Sequence, residues 1–133
     1  MKINRLVPIV STEKLEESKK FYMKNFGFQV LFANDWYVLL ESQDKVLQIA
    51  FVMPNHATQP PIFQTRFDGN GIFYTIEVDD ADQEFSRLQK ANAKIELAVR
   101  DEPWGERHFA VKDPNGVMIN VSQLIPPTGE YVQ

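Results

Sequence analysis

Two stretches of the chain repeat apolar and small residues at helical spacing. The two stripes consist of Leu15, Ser18, Tyr22 and Phe26, then Ala81, Phe85, Leu88 and Asn92. Acidic residues come early and basic residues late in both stretches, the order that the helix macrodipole favours. We therefore predict two helices. The first is capped by Ser11 or Thr12 and ends at Gly27, where glycine permits a left-handed stop. The second is capped by Asp79 or Asp80.

The remaining hydrophobic segments alternate or form short apolar runs between turn residues, as strands do. They are residues 3–10, 28–32, 36–41, 45–52, 71–78, 95–99, 107–111 and 117–122. Asp-Pro-Asn-Gly at 113–116 is typical of a tight turn, because Pro presets φ and Asn and Gly tolerate the left-handed region. The predicted order is βαβββ, a connector and a second βαβββ, with Lys14 aligned on Asp80, which makes an α+β chain.

The length of 133 residues fits one domain. We predict a single domain over 1–133, in which module one spans about 1–53 and module two about 70–123. Between them lies a connector, about 54–69, which is rich in Pro and polar residues. A tail, 124–133, follows the last predicted strand.

Composition and charge narrow the possible functions. With no cysteine, the chain has no disulfide, thiolate nucleophile or Cys-ligated metal. The net charge of −4 and the pI of about 5.2 argue against nucleic acid as a partner, which needs a basic face. No apolar run approaches the length of a membrane span, and the one near the N-terminus is too short for a signal peptide. We therefore expect a cytoplasmic protein that does not bind membranes.

Several segments, in this order on the doubled pattern, resemble the vicinal oxygen chelate superfamily of glyoxalase, bleomycin resistance and dioxygenase proteins. These segments are 15–22, 25–30, 73–80, 103–107 and 113–116. The resemblance implies two tandem βαβββ modules that form a cup-shaped mixed β-sheet with the helices outside. It also implies a homodimer, the assembly that often completes this fold.

Enzymes of the resembled family, such as glyoxalase I and the extradiol dioxygenases, hold a divalent metal through His, Glu or Gln on the first and last strands of each module. The corresponding positions here are Val7, Gln48, Phe73 and Asn120. Val and Phe offer no ligand atom, and amide oxygens bind first-row metals more weakly than imidazole or carboxylate. The resemblance therefore implies the fold of the family but not its metal site, and we expect this protein to have no cofactor.

Positions in phase with the four family positions mix apolar residues with polar ones, which suits a pocket for an organic molecule. The candidate ligand-binding residues are Trp36, Gln48, Phe73, Thr75, Trp104, Arg107, Met118 and Asn120. Trp104 offers a plane for stacking on a flat ligand, or it fills a dimer seam or the edge of the core. Arg107 suits an anionic ligand group, or a structural salt bridge with Glu102 or Glu106.

Three other residues have open roles. His56 lies in the polar connector, where we expect it to be solvated, and His108 is a surface, interface or ligand residue. Glu77 is the one carboxylate that we place in phase with the cup, either as a general base or as a solvated residue at a strand end. No Ser/His/Asp constellation, GxSxG, P-loop or GxGxxG motif is present.

Three functions stay open. The first is a metal-free homodimer that sequesters a small, partly aromatic, antibiotic-like molecule. The second is a glyoxalase-like lyase, isomerase or dioxygenase that uses a non-standard metal site with Gln48 and Asn120. The third is a regulatory or structural dimer whose cup is filled by its own side chains, among them Phe73 and Met118. The missing His and Glu at the family positions favour the first function over the second.

Overall fold

The structure, a computed structural model, describes residues 1–133 and divides into two compact units, Met1–Asp68 and Gly69–Gln133. The first unit contains β1 (Ile9–Ser11), α1 (Leu15–Phe26), β2 (Gln29–Ala33), β3 (Tyr37–Glu41) and β4 (Gln48–Val52). The second contains β5 (Phe73–Glu77), α2 (Ala81–Lys90), β6 (Ile95–Glu102), β7 (Glu106–Lys112) and β8 (Met118–Leu124). Short 3-10 helices lie at Pro61–Phe63 and Gly129–Tyr131.

In the first unit the strands form one four-stranded sheet in the order β1-β4-β3-β2. β1 runs parallel to β4, and the other pairs are antiparallel. α1 packs on β3 and β4. The ring of Tyr22 lies 5.7 Å from that of Phe51, and both residues are buried together with Leu40. This apolar layer holds the helix on the sheet.

The second unit repeats this arrangement with the strand order β5-β8-β7-β6 and a parallel β5–β8 pair. α2 packs on β6, β7 and β8, and the ring of Phe85 contacts Phe109 edge-on at 5.3 Å. Ile119 and Val121 are buried in the same layer. The predicted α+β class with two tandem βαβββ modules is thus confirmed, while the predicted single domain and its module boundaries stay predictions. Neither helix has the length and apolar character that crossing a membrane requires.

The helix ends are partly as predicted. Asp80 caps α2 by accepting a hydrogen bond from the backbone N–H of Gln83 at 3.1 Å. Gly27 ends α1 with φ of 69°. The predicted cap of α1 is wrong, because Lys14 holds the N-cap position, and its side chain makes no capping hydrogen bond. Thr12 instead accepts a hydrogen bond from the backbone N–H of Lys14 at 3.0 Å.

Most strands differ in length from their predictions, and β1 and β6 show the reason. β1 is only Ile9–Ser11 rather than 3–10, because its partner β4 is itself five residues long and pairs from Ala50 to Val52. β6 reaches Glu102 rather than residue 99, because its last residues pair with the start of β7. In both cases the partner strand decides the length, and the hydrophobic pattern does not reveal it.

Candidate functional site

The second sheet has one apolar face, under α2, and one face with a group of polar side chains, which we call the polar face. Strand alternation and register place Thr75, Glu106, His108, Asn120 and Ser122 on the polar face. In the register, Thr75 lies opposite Asn120, and His108 lies opposite Ser122. The three adjacent strands β5, β8 and β7 therefore bring residues far apart in the sequence within hydrogen-bond reach.

His108 lies between two hydrogen-bond acceptors from different strands. Its Nε2 is 2.8 Å from Oε2 of Glu102, and its Nδ1 is 2.7 Å from Oδ1 of Asn120. The side chain is only 12% exposed. Arg100 holds Glu102 from the other side, with its Nε 2.8 Å from Oε2.

The orientation of Asn120 follows from its neighbours. Its Nδ2 donates to Oε2 of Glu106 at 2.9 Å and to Oγ1 of Thr75 at 3.2 Å. A reversed amide would place its oxygen against the carboxylate of Glu106, which repels it. Oδ1 must therefore face His108, and Nδ1 of His108 must carry a hydrogen. Since Nε2 also donates, to Glu102, the arrangement requires His108 to be the imidazolium cation.

The pKa of His108 agrees with this assignment. Burial disfavours the charged ring and lowers its pKa, but the hydrogen bonds with Glu102 and Asn120 and the nearby charges of Glu106 and Glu102 outweigh it. The pKa of His108 is therefore raised above its ordinary value. The hydrogen bond from His108, helped by the charge of Arg100, lowers the pKa of Glu102.

Glu106 accepts hydrogen bonds at both carboxylate oxygens. Oε2 accepts from Nδ2 of Asn120 and from Oγ of Ser122 at 2.8 Å, and Oε1 accepts from Nε1 of Trp104 at 3.0 Å. Burial raises the pKa of Glu106, but these three hydrogen bonds and the charge of His108 lower it by more. The net effect keeps Glu106 ionised. We call Thr75, Glu102, Trp104, Glu106, His108, Asn120 and Ser122 the Glu106 cluster.

Trp104 lies on the loop between β6 and β7, and half of it, 51%, is exposed. The tail packs against this loop: Ile125 N–H donates to the Gly105 carbonyl at 3.0 Å, and Thr128 N–H to the Pro103 carbonyl at 2.8 Å. Through this contact Tyr131 meets the indole edge-on, with ring centroids 6.2 Å apart. The loop and the tail thus present two exposed aromatic rings beside the carboxylate of Glu106.

The first unit places its candidates in a different environment. Gln48 donates from Nε2 to Glu41 at 2.9 Å, and its oxygen accepts from the guanidinium of Arg5. Trp36 stacks on the ring of His56, at 4.4 Å between centroids and 15° between planes. His56 is half-buried by this stacking, rather than solvated as we expected, and its Nδ1 is 2.8 Å from Oγ1 of Thr58.

The structure joins three of the candidate ligand-binding residues, Thr75, Trp104 and Asn120, in the Glu106 cluster. Phe73 and Met118 are register partners one step further along the same face, and Phe73 is exposed. That any of these residues contacts a ligand stays a prediction.

Arg107 lies on the opposite face of the sheet from the Glu106 cluster. It forms ion pairs with Asp82 of α2 at 3.0 Å and with Asp101 of β6 at 2.8 Å. These partners differ from the Glu102 or Glu106 that we expected, because alternation along β7 points neighbouring side chains to opposite faces. The structure therefore ties Arg107 to α2 and does not bring it to the Glu106 cluster.

Sequence reasoning missed Glu102 and Glu106 as members of a site, and Tyr131 as a neighbour of Trp104. Glu77 is not the one carboxylate in phase with Asn120, because Glu106 and Glu102 share that face. Alternation from His108 back to Glu106 was an available signal for the latter. No pattern in the sequence indicates the position of Tyr131, because it depends on how the tail folds back.

The residues at the family metal positions do not fit a divalent metal. Val7 and Phe73 have no ligand atom, and the amide oxygen of Asn120 accepts a hydrogen bond from Nδ1 of the cationic His108. The oxygen of Gln48 accepts from the cationic Arg5, which disfavours a second cation there. No group of three or more His, Asp or Glu side chains is arranged to hold a metal ion.

Comparison with known proteins gives one family match. Residues 2–121 match the family model described as Glyoxalase/Bleomycin resistance protein/Dioxygenase superfamily. No curated protein matches the sequence.

Several solved structures are similar over nearly the whole chain. TnmS3, described as an antibiotic binding protein from Streptomyces sp. CB03234, has a TM-score of 0.71 and 23% identity, covering 93% of this chain and 98% of that one. A lactoylglutathione lyase from Agrobacterium tumefaciens has a TM-score of 0.72 and 17% identity, covering 90% and 92%. A glyoxalase/bleomycin resistance protein/dioxygenase from Nocardioides has a TM-score of 0.76 and 17% identity, covering 97% and 90%. At these identities the similarity shows the fold alone.

Proposed function

This chain belongs to the Glyoxalase/Bleomycin resistance protein/Dioxygenase superfamily, and from that premise we propose that it binds and sequesters a small organic, antibiotic-like molecule without a metal. We further propose that it does so as a cytoplasmic homodimer. One scaffold of this kind serves many chemistries, so the argument rests on the residues of the site rather than on the fold.

The observation that carries this proposal is the exposed indole of Trp104 beside the Glu106 cluster. At a family metal position, the amide oxygen of Asn120 accepts from the ring of His108, and the amide hydrogens are donated to Thr75 and Glu106. The surface left for a ligand is aromatic, formed by Trp104 and Tyr131. Exposed aromatic rings bind flat organic molecules by stacking and burial. The antibiotic binding protein TnmS3 supports the proposal, since its fold is the same.

A binding screen tests this function. Aromatic antibiotics and related drugs are added to the purified protein, and stabilisation is followed by thermal unfolding. For any compound that stabilises it, we expect Trp104→Ala to weaken binding about tenfold, because a stacked ring contributes on the order of 1 kcal/mol beyond its buried area. Phe63→Ala removes another exposed aromatic ring outside the cluster and serves as the control. Equal affinities of the two variants would contradict a role for Trp104, and a screen without any stabilising compound would contradict the function.

A metal titration separates this function from the enzymatic alternative. We expect elemental analysis of the untagged protein to show no stoichiometric metal, and Ni²⁺, Zn²⁺, Mn²⁺ and Fe²⁺ to bind without saturation. One tightly bound metal per chain would contradict the metal-free proposal. It would instead favour a lyase, isomerase or dioxygenase that uses Gln48 or Asn120.

A further inference from the structure

We propose that Glu106 is a positioning residue, which fixes the plane of Trp104 for the recognition of a flat ring. This inference rests on the proposed function, because it explains how the surface that we assign to the ligand is held in place. It adds a role for Glu106 and, through it, for Asn120 and Ser122.

The first step of the argument is the exposure of Trp104. A side chain that is half exposed and lies on a loop changes rotamer readily unless contacts restrain it. Two contacts restrain this indole: Nε1–H donates to Oε1 of Glu106 at 3.0 Å, and Tyr131 packs edge-on against the ring. The hydrogen bond to Glu106 has a charged acceptor, and such bonds are stronger than neutral ones.

The second step is that the carboxylate of Glu106 is itself held. Its side chain is 16% exposed, and Oε2 accepts from Asn120 and from the buried Ser122. These two donors, two residues apart on β8, leave Oε1 for Trp104. Asn120 is held in turn by His108, whose Nδ1 donates to its oxygen. The orientation of the indole therefore depends on a chain of hydrogen bonds that extends into the sheet.

The third step concerns which groups of the protein are available to contact a ligand. Both oxygens of Glu106 are engaged within the protein, so this carboxylate is not available to pair with a cationic group of the ligand. Recognition at Trp104 then depends on the face of a ring rather than on ligand charge. Asn120, at a family metal position, thus orients the carboxylate of Glu106, and this carboxylate orients the indole of Trp104.

The test needs no ligand. In a Trp36→Phe background, Trp104 is the only tryptophan, so its indole N–H gives a single NMR signal and its fluorescence reports its mobility. Glu106→Gln keeps the shape of the side chain but replaces one acceptor oxygen by a donor. The single remaining oxygen of the side chain at position 106 cannot then accept the hydrogen bonds from Trp104, Asn120 and Ser122 together. Glu77→Gln removes the same charge elsewhere on the polar face and serves as the control.

In Glu106→Gln we expect the indole N–H signal to move upfield and its solvent exchange to accelerate about tenfold, because a hydrogen bond to a charged group is lost. The fluorescence anisotropy of Trp104 should fall, and Glu77→Gln should match the parent in all three measurements. A folded Glu106→Gln variant with an unchanged indole signal and anisotropy would overturn the proposal.

A second variant keeps the inference testable if Glu106→Gln does not fold. Ser122→Ala removes one of the donors that hold Glu106, and we expect a smaller upfield shift and a smaller loss of anisotropy. An unchanged indole signal in Ser122→Ala would then overturn the proposal. Failure of the proposed function looks different, since the indole responds as expected but no aromatic compound stabilises the protein.

Discussion

At the scale of single residues, the charge of His108 is decided by what its two ring nitrogens face. A neutral imidazole has one donor and one acceptor nitrogen, but Glu102 and Asn120 both require a donor. The neighbouring carboxylate of Glu106 adds a favourable charge, with its Oε1 3.6 Å from Nδ1. The protein therefore stabilises the cation, although burial alone favours the neutral ring.

This charge predicts a pH dependence of stability. A pKa raised above the ordinary 6.5 means that the folded state binds its proton more tightly than the unfolded state. The stability from His108 is complete below 6.5 and is lost as pH rises through the higher folded pKa. We expect the urea midpoint to fall as pH rises above 6.5 and passes through the higher pKa of the folded state. His108→Gln should remove most of this fall.

The second histidine of the chain is the control for this measurement. His56 stacks on Trp36 and has no carboxylate partner among its hydrogen bonds. His56→Gln removes an imidazole ring without touching a carboxylate, and the difference between this variant and His108→Gln is the quantity to be measured. If His108→Gln and the parent lose stability equally as pH rises, the assignment of His108 as a cation is wrong.

At the scale of elements, the loop between β6 and β7 and the tail form one structure. Two backbone hydrogen bonds join them, and Gly105 lies at the contact with φ of 106°. A Cβ on Gly105 would meet the carbonyl oxygen of Ile125 at 2.7 Å, closer than atoms approach without rearrangement. The absence of a side chain at this position is what lets the tail pack close enough for Tyr131 to reach Trp104.

We predict that Gly105→Ala releases the tail. The variant incurs backbone strain of about 1–3 kcal/mol for a non-glycine residue at positive φ. It also disrupts two backbone hydrogen bonds, each worth about 1 kcal/mol. Gly71→Ala is the matched control, because Gly71 has φ of 84° but no atom within 4 Å of its Cβ position. Amide exchange at Ile125 and Thr128 should accelerate in Gly105→Ala alone, and equal protection in both variants would contradict the prediction.

At the scale of the whole molecule, both units expose large apolar residues. The edge strand β2 exposes Val30, Leu31 and Phe32 in succession, and Phe73 and Leu124 are exposed in the second unit. Large exposed apolar surfaces on a protein mark interaction sites, and unpaired strand edges offer free backbone groups. A second copy of the chain is the partner that we propose.

We therefore predict a mass in solution of twice the 15.4 kDa of one chain. Light scattering coupled to size-exclusion chromatography measures it directly. Because association buries apolar surface, the dimer should persist at high salt. A mass of 15.4 kDa across the concentration range would contradict the homodimer.

The sequence by itself determined both helices and the repeated βαβββ order. Helical periodicity and the residues at Asp80 and Gly27 are local signals, so α1 ends at Gly27 and α2 begins after Asp80, as the pattern predicts. The resemblance to the family identified Trp104 and Asn120 as candidates, and strand alternation added Thr75; the structure brings these three together. Their role in binding stays a prediction.

Only the tertiary structure decided the lengths of β1 and β6, the place of Arg107 and the partners of His108. These depend on strand register, and a shift of one residue moves every side chain to the opposite face. Glu106 and Asn120 are distant in sequence, and only the β7–β8 pairing brings them within 2.9 Å. The Glu106 cluster therefore depends on strand register. Its hydrogen bonds join different strands, and the hydrophobic pattern of one strand does not indicate which residues of another strand lie beside it.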